Sequence, residues 1–502
     1  MNISALERAP VEIWSSIFAI LLQTPLLPQH DATFAQHMSV FSYECNSHVM
    51  ACDLYRIACR LRLVCRAWNE MVLWSRPTVV FCSLDPSCTN FLPAHILPGL
   101  LQDGDMRPEL LKAERLEIWT PFTCPFGDEC RSFILRSSVQ KLRENREEDE
   151  ILPFGDWRSK LVFLRKANPG VPIKDLTRVK AFIPGPHLFS ESPIPFFDRL
   201  PNLEILSWTS TWNHSFFGTM IHHKVHRNLT HLEISVQPRQ IHALESPVDF
   251  TNLRFLSLYV WDNGPIAQEP LDNLDLATWA NFPKLEGLYL TLSVQDNVWY
   301  DEILSFLNTI GAKLSSLVLG GPRLSDFLCG TDQNSTWRFT TETWSLFPSL
   351  LNFGLQHNVI TRCPPPPPIT MQPPTLMYRF LGSVLPRYLP SGAATDKRNF
   401  KLLDEVGRAC EQWRTKQMTM YETWKDAEAQ MLGPISLQSH LMVGGHVGFY
   451  ERLIALGVEI RDRDGTLITE PAGTNFLQAL KAYESKCLFA EANRDSDEGE
   501  EW

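Results

Sequence analysis

Cys45, Cys52 and Cys59 recur every seven residues, the first pattern in the chain that invites chemistry. On a helix a seven-residue step rises about 10.5 Å, whereas zinc–sulfur bonds are about 2.3 Å, so three such thiols cannot share one ion. They suit one helix face as small apolar residues. His222, His223 and His226 contain an i, i+4 pair, yet no H-E-x-x-H context or cysteine partner accompanies it, and surface histidines are expected. Gly444-Gly-His-Val-Gly448 follows no strand and lacks a phosphate-cradling lysine, which makes it a turn or a helix start. Phosphate-loop, nucleophile-elbow and dinucleotide motifs are missing from the sequence. Nothing places a nucleophile beside a base, so a non-catalytic chain with no metal and no cofactor is expected.

The elements that remain are built from apolar residues. Pro10 precedes Val11-Glu-Ile-Trp-Ser-Ser-Ile-Phe-Ala-Ile-Leu-Leu22, a helical pattern apolar on nearly every face. Proline suits a helix entry because its missing N–H would be unpaired there, and Glu12 favours the positive end of the dipole. A polar, proline-containing stretch follows from about Thr24 to His37, and a second helical pattern runs from Tyr55 to Val72.

From about residue 110 to 360 the pattern changes to short strands with internal self-similarity. Six segments read L-x-x-(L/F)-x-(L/I/W), beginning at Leu203, Leu229, Leu253, Leu285, Leu314 and Leu350, with 24 to 36 residues between successive leucines. Such spacing predicts a solenoid. Proline stands two residues before the leucine in Leu200-Pro-Asn-Leu203, Phe282-Pro-Lys-Leu285 and Phe347-Pro-Ser-Leu350, where a strand entry tolerates it. Weaker copies are expected around Leu116/Ile118 and Leu176/Val179/Ala181, with an exposed helix at Arg131–Glu150 between them. The fold class is therefore α+β or α/β solenoid: an all-α N-terminal domain, an irregular array of parallel strands and a helical and β C-terminal cap. The expected boundaries are 1–90, with an insertion around 24–54, then 91–362 for the array, 363–395 for a stiff proline-rich loop and 396–490 for the cap. In the cap, a long helix is expected over Asp396–Met431, a shorter one over Gly445–Leu456, and then strand, turn, strand at Val458–Ile468. The tail 491–502 has six acids against Arg494 and is expected to be disordered.

The chain has 502 residues, 44% of them hydrophobic, and a net charge of −11. That is length enough for two or more cores and rules out disorder along the whole chain. The acidic balance argues against nucleic acid and anionic membranes as partners. Glu7 and Arg8 stand where a secretory signal needs its apolar core, no stretch reaches about 18 apolar residues, and the 12 cysteines include no C-x-x-C pair. Reduced thiols in cytoplasm or nucleus are expected, with no membrane association.

Pro10-Val-Glu12-Ile13-Trp-Ser-Ser-Ile17-Phe18-Ala-Ile-Leu21, followed by Leu61-Arg-Leu63-Val64-Cys65-Arg66-Ala-Trp68-Asn-Glu-Met-Val72, resembles the two ends of an F-box motif. The resemblance covers roughly residues 6 to 75, with leucine-rich repeats following as in large fungal F-box families. Ala9 stands where that family usually has leucine, about thirty residues separate the halves, and most repeats lack the usual asparagine after the strand. The resemblance implies a docking module for the Skp-type adaptor of a cullin-RING ubiquitin ligase. On that reading Pro10, Ile13, Ile17, Leu21, Val64, Cys65 and Trp68 form an apolar surface too large for so small a domain to hide. Arg56, Arg60, Arg62 and Arg66 would complement an acidic adaptor.

In an L-x-x-L-x-L strand the leucines face inward, and alternation sends the residues between them to the opposite, solvent-facing side. That face would carry Ser207, His231, Glu233, Phe255, Ser257, Tyr259, Gly287, Tyr289, Val318 and Gly354 among others. Phe255, Tyr259 and Tyr289 are the expected aromatic anchors for a target protein, with His231 and Glu233 supplying polar selectivity. Sheet propensity alone would also select Tyr and Phe there. The expected function is the substrate-recognition subunit of an SCF-type (Skp-cullin-F-box) ubiquitin ligase. The alternatives are an F-box scaffold working outside ubiquitin transfer, and a repeat-containing enzyme or small-molecule sensor.

Overall fold

The computed structural model describes residues 11–22, 33–41, 60–74, 79–83, 92–93, 114–119, 177–184, 200–208, 220–221, 224–236, 247–261, 278–293, 298–320, 341–355, 364–378, 404, 406–421, 447–468, 478, 481 and 485. It is a mixed α/β protein whose sheet strands pair in parallel. Two compact units divide it: Met1–Gln29, Val40–Ile234 and Phe250–Asn252 form the first, and His30–Ser39, Ser235–Asp249 and Leu253–Trp502 the second. The named helices of the N-terminal region are α1 (Val11–Leu22), α2 (Phe34–Ser39) and α3 (Arg66–Trp74).

In the first unit α1 and α3 pack on each other, and six strands follow: β1 (Val79–Ser83), β2 (Leu92–Pro93), β3 (Arg115–Trp119), β4 (Ala181–Pro184), β5 (Ile205–Trp208) and β6 (His231–Val236). Their order is β2-β1-β3-β4-β5-β6, every pairing parallel. In the second unit β7 (Val248–Asp249) pairs with β9 (Ala280–Asn281), and β8 (Phe255–Trp261) pairs with β10 (Gly287–Ser293). Helix α4 (Val298–Ile310) leads to β11 (Ser316–Gly320), β12 (Asn352–Leu355), β13 (Thr375–Tyr378), β14 (Gln417–Met420) and β15 (Glu459–Arg461), each parallel to the one before it.

The six leucine segments are β5, β6, β8, β10, β11 and β12. In each, the motif's first leucine lies two residues before the strand and is buried. The strand leucines then align in register: Leu256, Leu288, Leu317, Phe353, Leu376, Met418 and Ile460 form one buried row across the second unit. Such a row removes the inner face from water along the whole series. The weaker copies are strands too, with Leu116 in β3 and Val179 just before β4 both buried.

The turns carry their own stitching. Asn202 donates through Nδ2 to the Thr177 carbonyl at 2.7 Å, Asn228 to that of Pro201 at 3.1 Å, and Asn252 to that of Arg227 at 2.8 Å. In each case the asparagine stands just before the strand leucine, and its acceptor is two residues before the corresponding Val179, Leu203 or Leu229. In the second unit Ser349 bonds the Ala312 carbonyl in the same way at 3.2 Å. Each bond satisfies a turn carbonyl that the strand ladder leaves open.

Two helix expectations are corrected. The pattern over Tyr55–Val72 breaks at Leu63-Val64: the amides of both bond back three residues, to Arg60 and Leu61 at 3.2 Å each, and α3 starts anew at Arg66. The pattern over Asp396–Met431 is helical at 406–413 but ends at Arg414, whose φ of 57° turns the chain. Alternation then wins, because Met418 and Met420 bury themselves in β14 between two parallel neighbours. The shorter cap helix runs over 447–455 and ends at Gly457, φ 70°, a left-handed position that favours glycine. Gly465, φ 83°, makes the turn after β15, and Arg461 bridges Leu467 in antiparallel fashion. The proline-rich residues 364–374 carry no helix or strand, and Trp344 Nε1 fastens them with a 2.9 Å bond to the Pro365 carbonyl. Among the described residues no helix is long and apolar enough to cross a membrane.

Candidate functional site

The first candidate surface is the α1–α3 pair. Phe18 and Val72 close a small core with Trp14, Leu61 and Trp68 around them. The Phe18 and Trp68 rings meet edge-on at 5.0 Å, and Trp14 lies 5.2 Å from Trp68. Among the described residues, other apolar side chains of this segment lie outside that core. Ile13 is 51% exposed, Ile17 37%, Leu63 86% and Val64 55%. Of the residues expected to meet an adaptor, Ile13, Ile17 and Val64 are therefore on the surface. Trp68 is half-buried in the small core, and Cys65 is half-buried and caps α3: its Sγ accepts from the Trp68 amide at 3.5 Å and its carbonyl from Asn69 at 3.0 Å. Pro10 lies outside the described residues, as does the Leu21 side chain. Arg60 and Arg66 are exposed, Arg66 3.3 Å from Glu70, while Arg62 donates to Asn69 at 2.7 Å. Arg56 is outside the described residues.

The second candidate is the outer sheet face, taken unit by unit. In the first unit His231 and Glu233 stand on β6 beside Ile205 and Ser207 of β5. His231 was expected in solvent but is buried, with Phe41 covering it at a ring distance of 6.1 Å and Thr230 Oγ1 2.9 Å from its Nδ1. Arg115, buried on β3, donates to the Val40 carbonyl at 2.8 Å. Ser207 Oγ donates to Glu233 Oε2. Burial pushes the Glu233 carboxyl up to about 7, against the opposing effect of that hydrogen bond.

In the second unit Phe255 was also expected to be free and is buried. Phe34 of α2 lies 6.1 Å from it, and His37 stacks on its ring at 3.8 Å with an interplanar angle of 16°. Phe34, Phe255, Val318 and Met377 form a buried cluster with Tyr289 and Tyr421 packed against it. Tyr289 is thus half-buried in the cluster, whereas Tyr259 remains exposed. Alternation identified the face correctly, but not what lies on it. The polar, proline-containing stretch up to His37 runs into a six-residue helix, Phe34–Ser39, whose signal is in the sequence. Thr33-x-x-Gln36 is a capping box, with the Thr33 amide donating to Gln36 Oε1 at 2.7 Å and the Gln36 amide to Thr33 Oγ1 at 3.3 Å.

His226, expected on the surface, is buried against Phe250 with Nδ1 3.4 Å from the Met220 carbonyl. A lone imidazole there fills core space. His222, His223 and the cysteines at 45, 52 and 59 lie outside the described residues. Among the described residues no group of three or more His, Cys, Asp or Glu is placed to hold a metal ion. What the site offers chemically is contact area: exposed aliphatic groups on one helix pair, and an aromatic cluster on a sheet face. No protein-family model, no curated protein and no solved structure matches this chain.

Proposed function

We propose that this chain is the substrate-recognition subunit of a Skp-cullin-F-box ubiquitin ligase. Its α1–α3 pair would dock the Skp-type adaptor, and its parallel-strand series would be a degenerate leucine-rich-repeat solenoid that binds a target protein. The observation that carries the reading is the outward exposure of Ile13, Ile17, Leu63 and Val64 beside the core that Phe18 and Val72 form among the described residues. Apolar groups concentrated on so small a unit favour a partner that covers them. The work of such a subunit is proximity: it holds a target near a charged conjugating enzyme and raises effective concentration with no chemistry of its own.

The test is co-purification of the tagged full chain with a Skp-type adaptor and a cullin. Both captured together support the reading, adaptor without cullin makes the chain a scaffold outside ubiquitin transfer, and capture of neither rejects it. Ile13→Asp and Ile17→Asp are the informative variants, because both side chains are exposed and the small core survives their change. Trp68→Ala is less useful, since Trp68 packs against Phe18 and Trp14.

A further inference from the structure

The outer face of the second unit's sheet holds a recess rather than a flat surface. Phe255, Gly287, Ser316 and Asn352 are cross-strand neighbours in one row, and Ser257, Tyr289, Val318, Gly354 and Met377 in the next. Two of these positions are glycine, and neither has a positive φ to account for it. Space does. A Cβ on Gly287 would run into the Phe34 ring and lie 2.7 Å from Phe255 Cδ1, and one on Gly354 would meet the Tyr421 hydroxyl and lie 2.8 Å from Val318 Cγ2. The missing side chains leave an aromatic-walled socket of Phe255, Tyr289, Val318, Met377 and Tyr421, and Phe34 fills it.

The occupant is an unusual core element. Helix α2 has six residues, far below the roughly 12–15 at which an isolated helix is even marginal in water, so it is a helix only while seated. It lies more than 200 residues away in sequence from the strand it covers, and it falls between the two helical halves of the N-terminal motif. Two of its polar ties are long and exposed: Thr33 Oγ1 to the Arg463 carbonyl at 3.2 Å, and Gln36 Nε2 to Asp464 Oδ1 at 3.3 Å. Exposed bonds of this kind contribute little, and the rings of Phe34 and His37 pack directly on Phe255. The cluster is also separate from the leucine row on the sheet's other face.

We infer that α2 is an internal ligand: it holds a socket whose other occupant is a short helical segment of a target protein carrying an aromatic residue and a second ring three positions later, as Phe34 and His37 do. The identity of the displacing partner rests on the substrate-receptor reading; the socket does not. With α2 seated, the receptor is closed to such a segment. A target must displace Phe34, and α2 then melts as it leaves.

The test uses a fluorescently labelled peptide of residues 31–41 and the full chain with residues 33–39 replaced by a Gly/Ser linker of equal length. The peptide should bind the replaced chain at least tenfold more tightly than wild type, and Gly287→Leu in the replaced chain should abolish binding. Equal binding to wild type and replaced chain, or no binding to a replaced chain that still unfolds cooperatively, overturns the inference. If the replaced chain does not fold, Phe34→Ala in the full chain takes its place with the same tenfold expectation. Failure of both to fold makes α2 an ordinary core element and also overturns it. Adaptor capture, measured on the same proteins, is a separate readout: its loss alongside retained peptide binding would count against the ubiquitin-ligase reading and leave the socket standing.

Discussion

Glu233 has consequences that a titration can reach. Its carboxyl is pushed from an ordinary 4.5 up to about 7, first by burial, with the Ser207 hydroxyl acting in the other direction. Between those two values the folded chain holds a proton that the unfolded chain has released, so stability falls as pH rises through the window and the full penalty is present above about 7. Wild type should therefore lose melting temperature from pH 5 to pH 8 relative to Glu233→Gln, which keeps an acceptor for Ser207 and has no charge to bury. Parallel melting profiles for the two proteins would refute the assignment. At the same scale, Asn228 ties its turn to the Pro201 carbonyl at 3.1 Å. Asn228→Ala should cost about 1 kcal/mol in denaturant unfolding, the ordinary net worth of one such bond. Asn69, which receives Arg62 outside the strand series, belongs to the helix pair and should not share that effect.

At the scale of elements, the two short N-terminal helices are held by caps that a single atom can remove. Thr33→Ala takes away one half of the α2 capping box. Amide exchange at 34–37 should then accelerate several-fold while exchange in β10 and β11 stays slow, because α2 folds only where it docks and the strands have partners of their own. Within the α1–α3 pair, Phe18→Ala removes the ring that closes the small core and should unfold the pair, typically a loss of about 3–5 kcal/mol for a buried phenylalanine. Ile13→Asp should leave near-wild-type circular dichroism, since its side chain is in water already. A pair of helices that responds equally to both changes would not have the inside and outside described here.

Across the whole molecule, the strand series was legible because leucines at fixed offsets must share a buried row, and β5, β6, β8, β10, β11 and β12 all fall where those leucines predict. The helix at 447–455 and the turn at Gly465 were legible from local pattern and from glycine's tolerance of positive φ. The face that could bind a partner was legible only in part. Period-two alternation says that Phe255 and His231 point away from the leucines, and they do; it carries no information on which distant segment covers them. Phe34 and His37 stand at the end of the polar, proline-containing stretch and Phe41 just beyond it, and no strand pattern says that they meet Phe255 and His231. Likewise Arg408–Trp413 is helical in pattern and in fact, but the helix expected over Asp396–Met431 gives way at Met418-Thr-Met420 to a strand, because β13 and β15 offer it partners. The central claim is that the outward aliphatic groups of α1 and of the turn before α3 grip an adaptor. Its most direct test is the affinity of the full chain for a purified Skp-type adaptor, compared with Ile13→Asp and with Ile17→Asp. Saturable binding by wild type, weakened at least tenfold by each variant with the fold intact, is the predicted result. No binding by wild type, or equal binding by all three proteins, would contradict it.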